Sequence, residues 1–193
     1  MKTNEPLRLY YQELDRGFFM GANSAFARYD RPFPIGYGQT ISQPSLVLFM
    51  TESLDITSNH KVLEVGTGSG YQTALLAKFA KEVYTIERIE PLLALAKERL
   101  LELGFDNIHY ILGDGTYGDE DDGPFDRIIV TAAANEIPGD LLDQLNVDGI
   151  MIIPVGETYV QDLLLIKKDN QENLTIDTLE QVRFVPLIGD CSI

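Results

Sequence analysis

The feature that most constrains how this chain can fold is a glycine-rich turn placed between two apolar runs. Residues 62–65 are apolar apart from Glu64, and this run stops at Gly66, Gly68 and Gly70. Helix-compatible apolar residues resume at 73–79. This order predicts a buried parallel strand, a tight loop and a helix. Such a unit builds a nucleotide-type pocket at the switch point of an open α/β sheet.

The segments that follow alternate between strand-like and helix-like patterns. β-rich and apolar runs predict further strands at 82–87, 107–112, 125–131 and 149–155. Helical periodicity predicts helices at 44–54, 91–103 and 138–145. The alternation predicts a doubly wound α/β fold, in which helices cover both faces of a mostly parallel, Rossmann-like sheet. Runs at 163–166 and 178–187 predict an antiparallel addition of C-terminal strands.

The first 40 residues are less regular. Residues 1–20 predict one helix that begins near Glu5 and Pro6. Residues 21–40 mix aromatic side chains with prolines and glycines, which predicts an ordered loop packed over a ligand. We therefore expect a single domain with three parts. These are an N-terminal helix and covering loop at 1–42, a cofactor-binding core at 43–155 and C-terminal strands at 156–193.

Charge and composition argue against several functional classes. The 15 basic residues are scattered and are outnumbered by 30 acidic ones, so a nucleic acid is not an expected partner. No apolar run approaches the roughly 20 residues that span a bilayer, and the N-terminus lacks the apolar core of a signal peptide. We therefore expect a cytoplasmic protein with no membrane partner. The single cysteine, Cys191, and the distant His60 and His109 predict neither an internal disulfide nor a metal site.

Three acidic residues stand at the ends of three successive predicted strands, where open α/β sheets bind ligands. They are Glu64, Glu87 and Asp114. A dinucleotide needs the spacing G-x-G-x-x-G, and its pyrophosphate would meet Glu64. S-adenosylmethionine has no phosphate and carries positive charge, so it fits better. Glu87, which lies 21 residues after Gly66, is expected to accept hydrogen bonds from ribose hydroxyls, and Asp114 from the adenine amine.

Several motifs, in the same order along the chain, resemble the protein-L-isoaspartate O-methyltransferase family. They are GYGQTISQP at 36–44, VLEVGTGSGYQ at 62–72, TIER at 85–88, GDG at 113–115, PFD at 124–126, IVTAA at 129–133, IPVG at 153–156 and RFVPL at 183–187. The resemblance covers about residues 25–188. It implies a methyl transfer from S-adenosylmethionine to the free α-carboxylate of L-isoaspartyl residues in damaged proteins. The ester then closes to a succinimide, which reopens partly to normal aspartate.

The resemblance also implies residue roles. Ser42 corresponds to the residue usually called catalytic in this family. The sequence pattern alone places Ser42 or Gln43 at the cap of the helix that begins at Pro44 and favours a plain capping role for Ser42. Because the acceptor carboxylate is already ionised at neutral pH, no strong general base is required. The acceptor site is predicted at Thr40, Ile41, Ser42 and Val185. Cofactor contacts are predicted at Glu64, Gly66, Thr67, Gly68, Ser69, Gly70, Gln72, Glu87, Arg88, Asp114, Gly115 and Thr131.

The N-terminus departs from the family pattern, because residues 12–19 replace a Val-Pro-Arg-Glu-like stretch that helps to cover the acceptor site. Three functions therefore stay open at this point. They are isoaspartyl repair by a monomeric enzyme, methylation of another carboxyl or small-molecule acceptor, and cofactor binding without catalysis. The motif at 129–133 lacks the Asn/Asp-Pro-Pro-aromatic signature of amino-group methyltransferases, which argues against an adenine or glutamine acceptor.

Overall fold

The computed structural model describes residues 4–157 and 159–189, so Cys191 lies outside the described residues. The helices are α1 (Glu5–Glu13), α2 (Pro44–Ser53), α3 (Tyr71–Phe79), α4 (Glu90–Glu102) and α5 (Gly139–Asp143). The strands are β1 (Phe33–Gly36), β2 (Gln39–Ile41), β3 (Lys61–Val65), β4 (Glu82–Glu87), β5 (Ile108–Leu112), β6 (Phe125–Val130), β7 (Leu145–Glu157), β8 (Val160–Lys168) and β9 (Leu174–Val182).

One seven-stranded sheet organises the molecule, in the order β5-β4-β3-β6-β7-β8-β9. The pairs from β5 to β7 are parallel, and β8 and β9 add antiparallel strands. The predicted doubly wound, mostly parallel α/β fold with an antiparallel C-terminal addition is therefore confirmed. The strand order reverses at β3, which pairs with β4 on one side and β6 on the other. The glycine-rich turn follows β3 and thus lies at the switch point, where such sheets bind ligands.

The two faces of the sheet bury different side chains because residues alternate along each strand. On β3, Leu63 and Val65 belong to the apolar cluster on one face, whereas Val62 packs among the helices on the other. Glu64 shares the face of Val62 and points toward α3. Glu64 therefore places a carboxyl group in the buried layer between the sheet and α3.

The N-terminal helix begins where the sequence predicts. The Asn4 side chain accepts a hydrogen bond from the Leu7 N–H, and Pro6 occupies the first turn. The expectation of an irregular loop at 21–40 is wrong in part. A 3₁₀ helix spans Gly21–Phe26, and β1 and β2 form an antiparallel hairpin in which Phe33 pairs with Ile41.

The last predicted strand is displaced from the expected position. It spans Leu174–Val182 rather than 178–187, and the chain leaves the sheet after Val182. The Phe184 N–H donates to the Gln161 side chain, and the Ala133 N–H donates to the Val185 carbonyl. These bonds draw the segment across the end of β6. Among the residues the structure describes, no helix is both long and apolar enough to cross a bilayer.

Candidate active site

A cleft of about 820 Å³, open solvent at its mouth included, lies over the carboxyl ends of β3, β4 and β6. The cleft is lined by the glycine-rich turn, by the residues that end β4, and by segments of the covering hairpin and the C-terminal stretch. The switch point of the sheet therefore opens into a cleft.

The turn after β3 is held from both sides. Gly66 has a φ of +98°, and its N–H donates to the Ile86 carbonyl of β4 at 2.8 Å. On the other side, the Thr131 hydroxyl donates to the Gly66 carbonyl at 2.7 Å. A Cβ at position 66 would lie 2.4 Å from that hydroxyl oxygen. Glycine is therefore required here by both backbone conformation and space.

Glu87 presents a fixed carboxylate at the end of β4. Its Oε2 accepts a hydrogen bond from the Gly68 N–H at 2.9 Å, and its Oε1 accepts one from the Ile89 N–H at 3.0 Å. Each carboxylate oxygen retains a further lone pair that can accept another hydrogen bond. The two remaining positions suit a pair of neighbouring hydroxyl groups, as on a ribose.

Glu64 lies beneath the turn and outside the cleft lining, with its side chain fully buried. Its Oε2 accepts hydrogen bonds from the Thr73 and Thr85 hydroxyls, both at 2.6 Å. The Thr67 hydroxyl, which lines the cleft, lies 2.6 Å from that of Thr85. Burial raises the pKa of Glu64 to about 8, and the charge of Glu87 acts in the same direction. The two hydrogen bonds from threonine lower the pKa and offset part of this rise.

This placement changes the argument made from the sequence. The raised pKa favours the protonated form of Glu64 near neutral pH, and the side chain lies outside the cleft, so the argument from a negative charge facing a phosphate no longer applies. Glu64 supports the turn from below through the threonine hydroxyls. Its assignment as a direct cofactor contact stays a prediction. In the structure, Glu64 is linked to the cleft through the hydroxyls of Thr85 and Thr67.

Most of the other predicted cofactor residues line the cleft together. They are Gly66, Thr67, Gly68, Ser69, Gln72, Glu87, Arg88, Gly115 and Thr131. Gly70 lies outside the lining, because it begins α3 and faces Ala96 and Leu100 of α4. Asp114 also lies outside, and its Oδ1 accepts hydrogen bonds from the N–H and hydroxyl of Thr116.

The predicted acceptor residues lie where the cleft meets a second cavity. This second cavity runs between α2 and the end of β9, along residues such as Pro32, Phe49 and Phe184. The residues that line both cavities are Thr40, Ser42, Thr131 and Val185. Ile41 lines the cleft alone. A ligand in one cavity can therefore meet a ligand in the other at Ser42.

Ser42 is not the N-cap of α2, because that position belongs to Gln43, whose side chain makes no capping bond. The capping carboxylate comes from Asp30, whose Oδ1 accepts from the Ser45 N–H at 2.9 Å. The Ser45 N–H in the first turn of α2 is thus already bonded to Asp30 and is not open to an acceptor anion. Ser42 therefore has no capping role and lies at the junction of the two cavities.

Several lining residues were not singled out from the sequence. They are Gln39, Val47, Val65, Tyr71, Ile86, Ile89, Gly113, Ala132, Pro186, Leu187 and Ile188. Gly113 and Ala132 directly follow predicted strands, so strand ends alone could have indicated them. The apolar members carry no sequence signal that separates them from the core.

The histidines are placed apart from the cleft. His109 stacks on Tyr84 in the sheet with ring centroids 4.2 Å apart, and His60 accepts a hydrogen bond from the Thr57 N–H. Within 4–157 and 159–189, no group of three or more His, Cys, Asp or Glu side chains could hold a metal ion.

Known proteins resemble this chain in sequence and in architecture. The family model for protein-L-isoaspartate(D-aspartate) O-methyltransferase matches residues 5–192. The chain belongs to this family. A protein-L-isoaspartate O-methyltransferase of Dictyoglomus thermophilum is 56% identical over 157 residues, which are 81% of this chain and 71% of that protein. The one from Ruegeria pomeroyi is 48% identical over 187 residues, 96% of this chain and 87% of that protein.

A solved structure extends the comparison to three dimensions. It is the crystal structure of a Plasmodium falciparum protein assigned to the protein-L-isoaspartate O-methyltransferase family, in complex with S-adenosyl-L-homocysteine. It superposes with a TM-score of 0.81 at 29% identity, over 97% of this chain and 92% of that one. The family that the motifs indicated is therefore confirmed, and the divergent N-terminus lies within the matched region.

Proposed function

We propose that the two adjoining cavities divide the family's reaction between them, with the methyl donor in the cleft and the acceptor in the second cavity. The chain is an S-adenosylmethionine-dependent methyltransferase that acts on L-isoaspartyl residues of damaged proteins. This division of roles is supported by one observation: the two cavities meet at four residues that line both of them, which are Thr40, Ser42, Thr131 and Val185.

The cleft residues fit S-adenosylmethionine. Glu87 offers two carboxylate oxygens, already fixed by backbone N–H groups, to ribose hydroxyls. The turn at 66–68 has no Cβ at its first and third positions, so a ligand can approach the main chain closely. When bound, the cofactor supplies an activated methyl group and is left as S-adenosylhomocysteine.

The acceptor side needs orientation more than acid–base chemistry. A free α-carboxylate is ionised at neutral pH and is already a nucleophile. We assign to the Ser42 hydroxyl the donation of a hydrogen bond to that carboxylate, which fixes one of its oxygens toward the cleft. Thr40 and Val185 close the junction around it, Ile41 borders it on the cleft side, and the three together exclude water. Holding two reactants in line can supply most of the rate enhancement in a reaction of this kind.

A matched pair of peptides tests this function. The two peptides share one sequence and differ only in an isoaspartyl or an aspartyl linkage, and each is incubated with methyl-labelled S-adenosylmethionine. We expect base-labile label on the isoaspartyl peptide alone. Equal label on both peptides would indicate a less selective carboxyl methyltransferase. Binding of the cofactor without transfer to either peptide would indicate a binding module and would contradict the proposal.

The role of Ser42 is tested by Ser42→Ala. Loss of one oriented hydrogen bond at the reacting group is expected to lower turnover on the order of 100-fold. The affinity for S-adenosylhomocysteine should stay within about 2-fold, because the main chain at the turn is untouched. Ser58→Ala, at an exposed position in the turn before β3, is the matched control and should keep full turnover. Wild-type turnover in Ser42→Ala would remove this residue from its assigned role.

A monomeric state, a cytoplasmic location and the division of the chain at 42/43 and 155/156 stay predictions.

A further inference from the structure

Arg16 is a buried cation that no part of the proposed reaction uses. It begins a short 3₁₀ helix, Arg16–Phe19, and its side chain and backbone are only 5% exposed. Its guanidinium donates to four main-chain carbonyls. Nη1 contacts the oxygens of Ala27 and Tyr29 at 3.2 and 3.1 Å, and Nη2 those of Arg31 and Ser42 at 2.9 and 3.0 Å.

This cation is solvated by the backbone instead of by a counter-ion. In the part of the chain that the structure describes, no carboxylate lies within ion-pair distance of Arg16. Burial lowers the pKa of the guanidinium, and Tyr71, Tyr11 and Asp30 act in the opposite direction. Burying a charge is costly unless hydrogen bonds compensate it. The four carbonyls compensate the two terminal nitrogens, whereas the buried Nε has no hydrogen-bond partner among the described residues, so the positions of the carbonyls and of the cation depend on each other.

The carbonyls belong to two segments that meet at the acceptor side. Three lie in the loop 27–31, which leads into the β1–β2 hairpin, and the fourth is that of Ser42 directly after the hairpin. The Phe33 ring lies 5.7 Å from the guanidinium carbon, and Phe33 pairs with Ile41 across the hairpin. Arg16 therefore joins the beginning of the hairpin to its end.

Asp30 attaches the same loop from the other side. Its carboxylate accepts from the Ser45 N–H at 2.9 Å and from the Gln43 amide at 3.2 Å. Burial acts to raise the pKa of Asp30, but these hydrogen bonds and the charge of Arg16 outweigh it and lower the pKa. Ser42 thus lies between two attachments, one to Arg16 and one through Gln43 to Asp30.

We propose that Arg16 is a positioning residue for methyl transfer, which fixes Ser42 at the junction of the two cavities by binding its carbonyl together with those of the covering loop. The proposal rests on the function proposed above. Arg16 touches neither the cleft nor the second cavity, so it acts only through the main chain of Ser42. The segment 12–19, which diverges from the family pattern, supplies this contact.

The test is Arg16→Lys, which keeps the charge and removes the planar fork. An ammonium on a flexible stem has three donors and cannot span four carbonyls in this geometry. We expect kcat on an isoaspartyl peptide to fall on the order of 10- to 100-fold. The affinity for S-adenosylhomocysteine should change by less than about 2-fold, because the cleft is built elsewhere. Arg28→Lys, on the exposed side of the same loop, should match the wild type.

Hydrogen exchange tests the role of Arg16 independently of the proposed function. Amides of 27–42 should exchange faster in Arg16→Lys, while those of β3, β4 and β6 stay unchanged. This readout needs no acceptor, so it still judges Arg16 if the wild type fails to methylate an isoaspartyl peptide. Unchanged exchange at 27–42, or wild-type kcat, overturns the proposal. A parallel loss of S-adenosylhomocysteine affinity also overturns it, because Arg16 would then support the whole fold.

A lysine variant that fails to fold is replaced in the same assays by Asp30→Asn. This substitution loosens the same loop from its exposed side and leaves the core untouched. We expect a smaller loss of kcat, several-fold, with faster exchange confined to 27–45. Unchanged kcat together with unchanged exchange in Asp30→Asn overturns the proposal.

Discussion

Gly66→Ala should lower the affinity for S-adenosylhomocysteine by about 100-fold or more, which corresponds to roughly 2.7 kcal/mol or above. The new Cβ would lie 2.4 Å from the Thr131 hydroxyl oxygen, and the backbone would keep a φ of +98° that alanine rarely adopts. Both effects push the turn away from β6, so the N–H groups and the Glu87 carboxylate lose their common geometry. Isothermal titration calorimetry of the purified variant with S-adenosylhomocysteine measures the change.

Gly104→Ala is the matched control for this prediction. Gly104 ends α4 with a φ of +83°, and nothing lies within 4 Å of its Cβ position. The control therefore carries a similar backbone strain, about 1 kcal/mol, without the contact at Thr131. It should lower the melting temperature by a few degrees and leave affinity unchanged. If both variants lose affinity equally, backbone strain and not the contact with Thr131 accounts for the effect.

We expect the free energy of unfolding of the wild type to fall as pH rises, and we expect Glu64→Gln to abolish most of this fall. Below about pH 4.5 the carboxyl is protonated in both the folded and the unfolded chain, so it contributes nothing. Between pH 4.5 and about 8 the unfolded chain releases the proton while the folded protein keeps it, and the free energy of unfolding falls. Above about pH 8 the folded carboxyl is ionised as well, and the penalty is constant.

The glutamine variant resembles the protonated carboxyl, so it should be close to the wild type near pH 5 and more stable by a few kcal/mol near pH 9. The scale follows from about 1.4 kcal/mol for each unit of pKa shift. Urea unfolding at a series of pH values measures the difference. Glu102→Gln, at an exposed position at the end of α4, is the control and should follow the wild type at every pH. Parallel curves for wild type and Glu64→Gln would show that Glu64 titrates normally.

The cofactor half of the molecule was predictable because its signals are local. Apolar runs between turn residues predicted β4 at its observed bounds, Glu82–Glu87, and the glycine spacing predicted the turn at the switch point. The alternation of side chains along a strand also predicts which face of the sheet Glu64 occupies. It lies two residues after Val62 and therefore faces α3 with it, although the sequence argument placed its charge in the cleft.

The acceptor half was harder to predict because long-range contacts define it. The hairpin strands have four and three residues, and Pro34 interrupts the first, so no alternation marks them. The apolar residues Phe184 to Leu187 resemble a strand, but hydrogen bonds to Gln161 and Ala133 take them out of the sheet. The partners of Arg16 are main-chain carbonyls, which every residue has, so no motif could indicate them.

The spacing of those carbonyls has a consequence for how such enzymes diversify. The oxygens that Arg16 binds lie 11, 13, 15 and 26 residues farther along the chain, so one contiguous stretch carries the whole attachment. The donor cleft, in contrast, gathers segments from distant parts of the sequence. Exchange of a single N-terminal stretch can therefore bring the whole attachment with it. A chimera that carries a relative's first 42 residues should keep Ser42 in place, while α2 and residues 180–185 keep the recipient's lining of the second cavity.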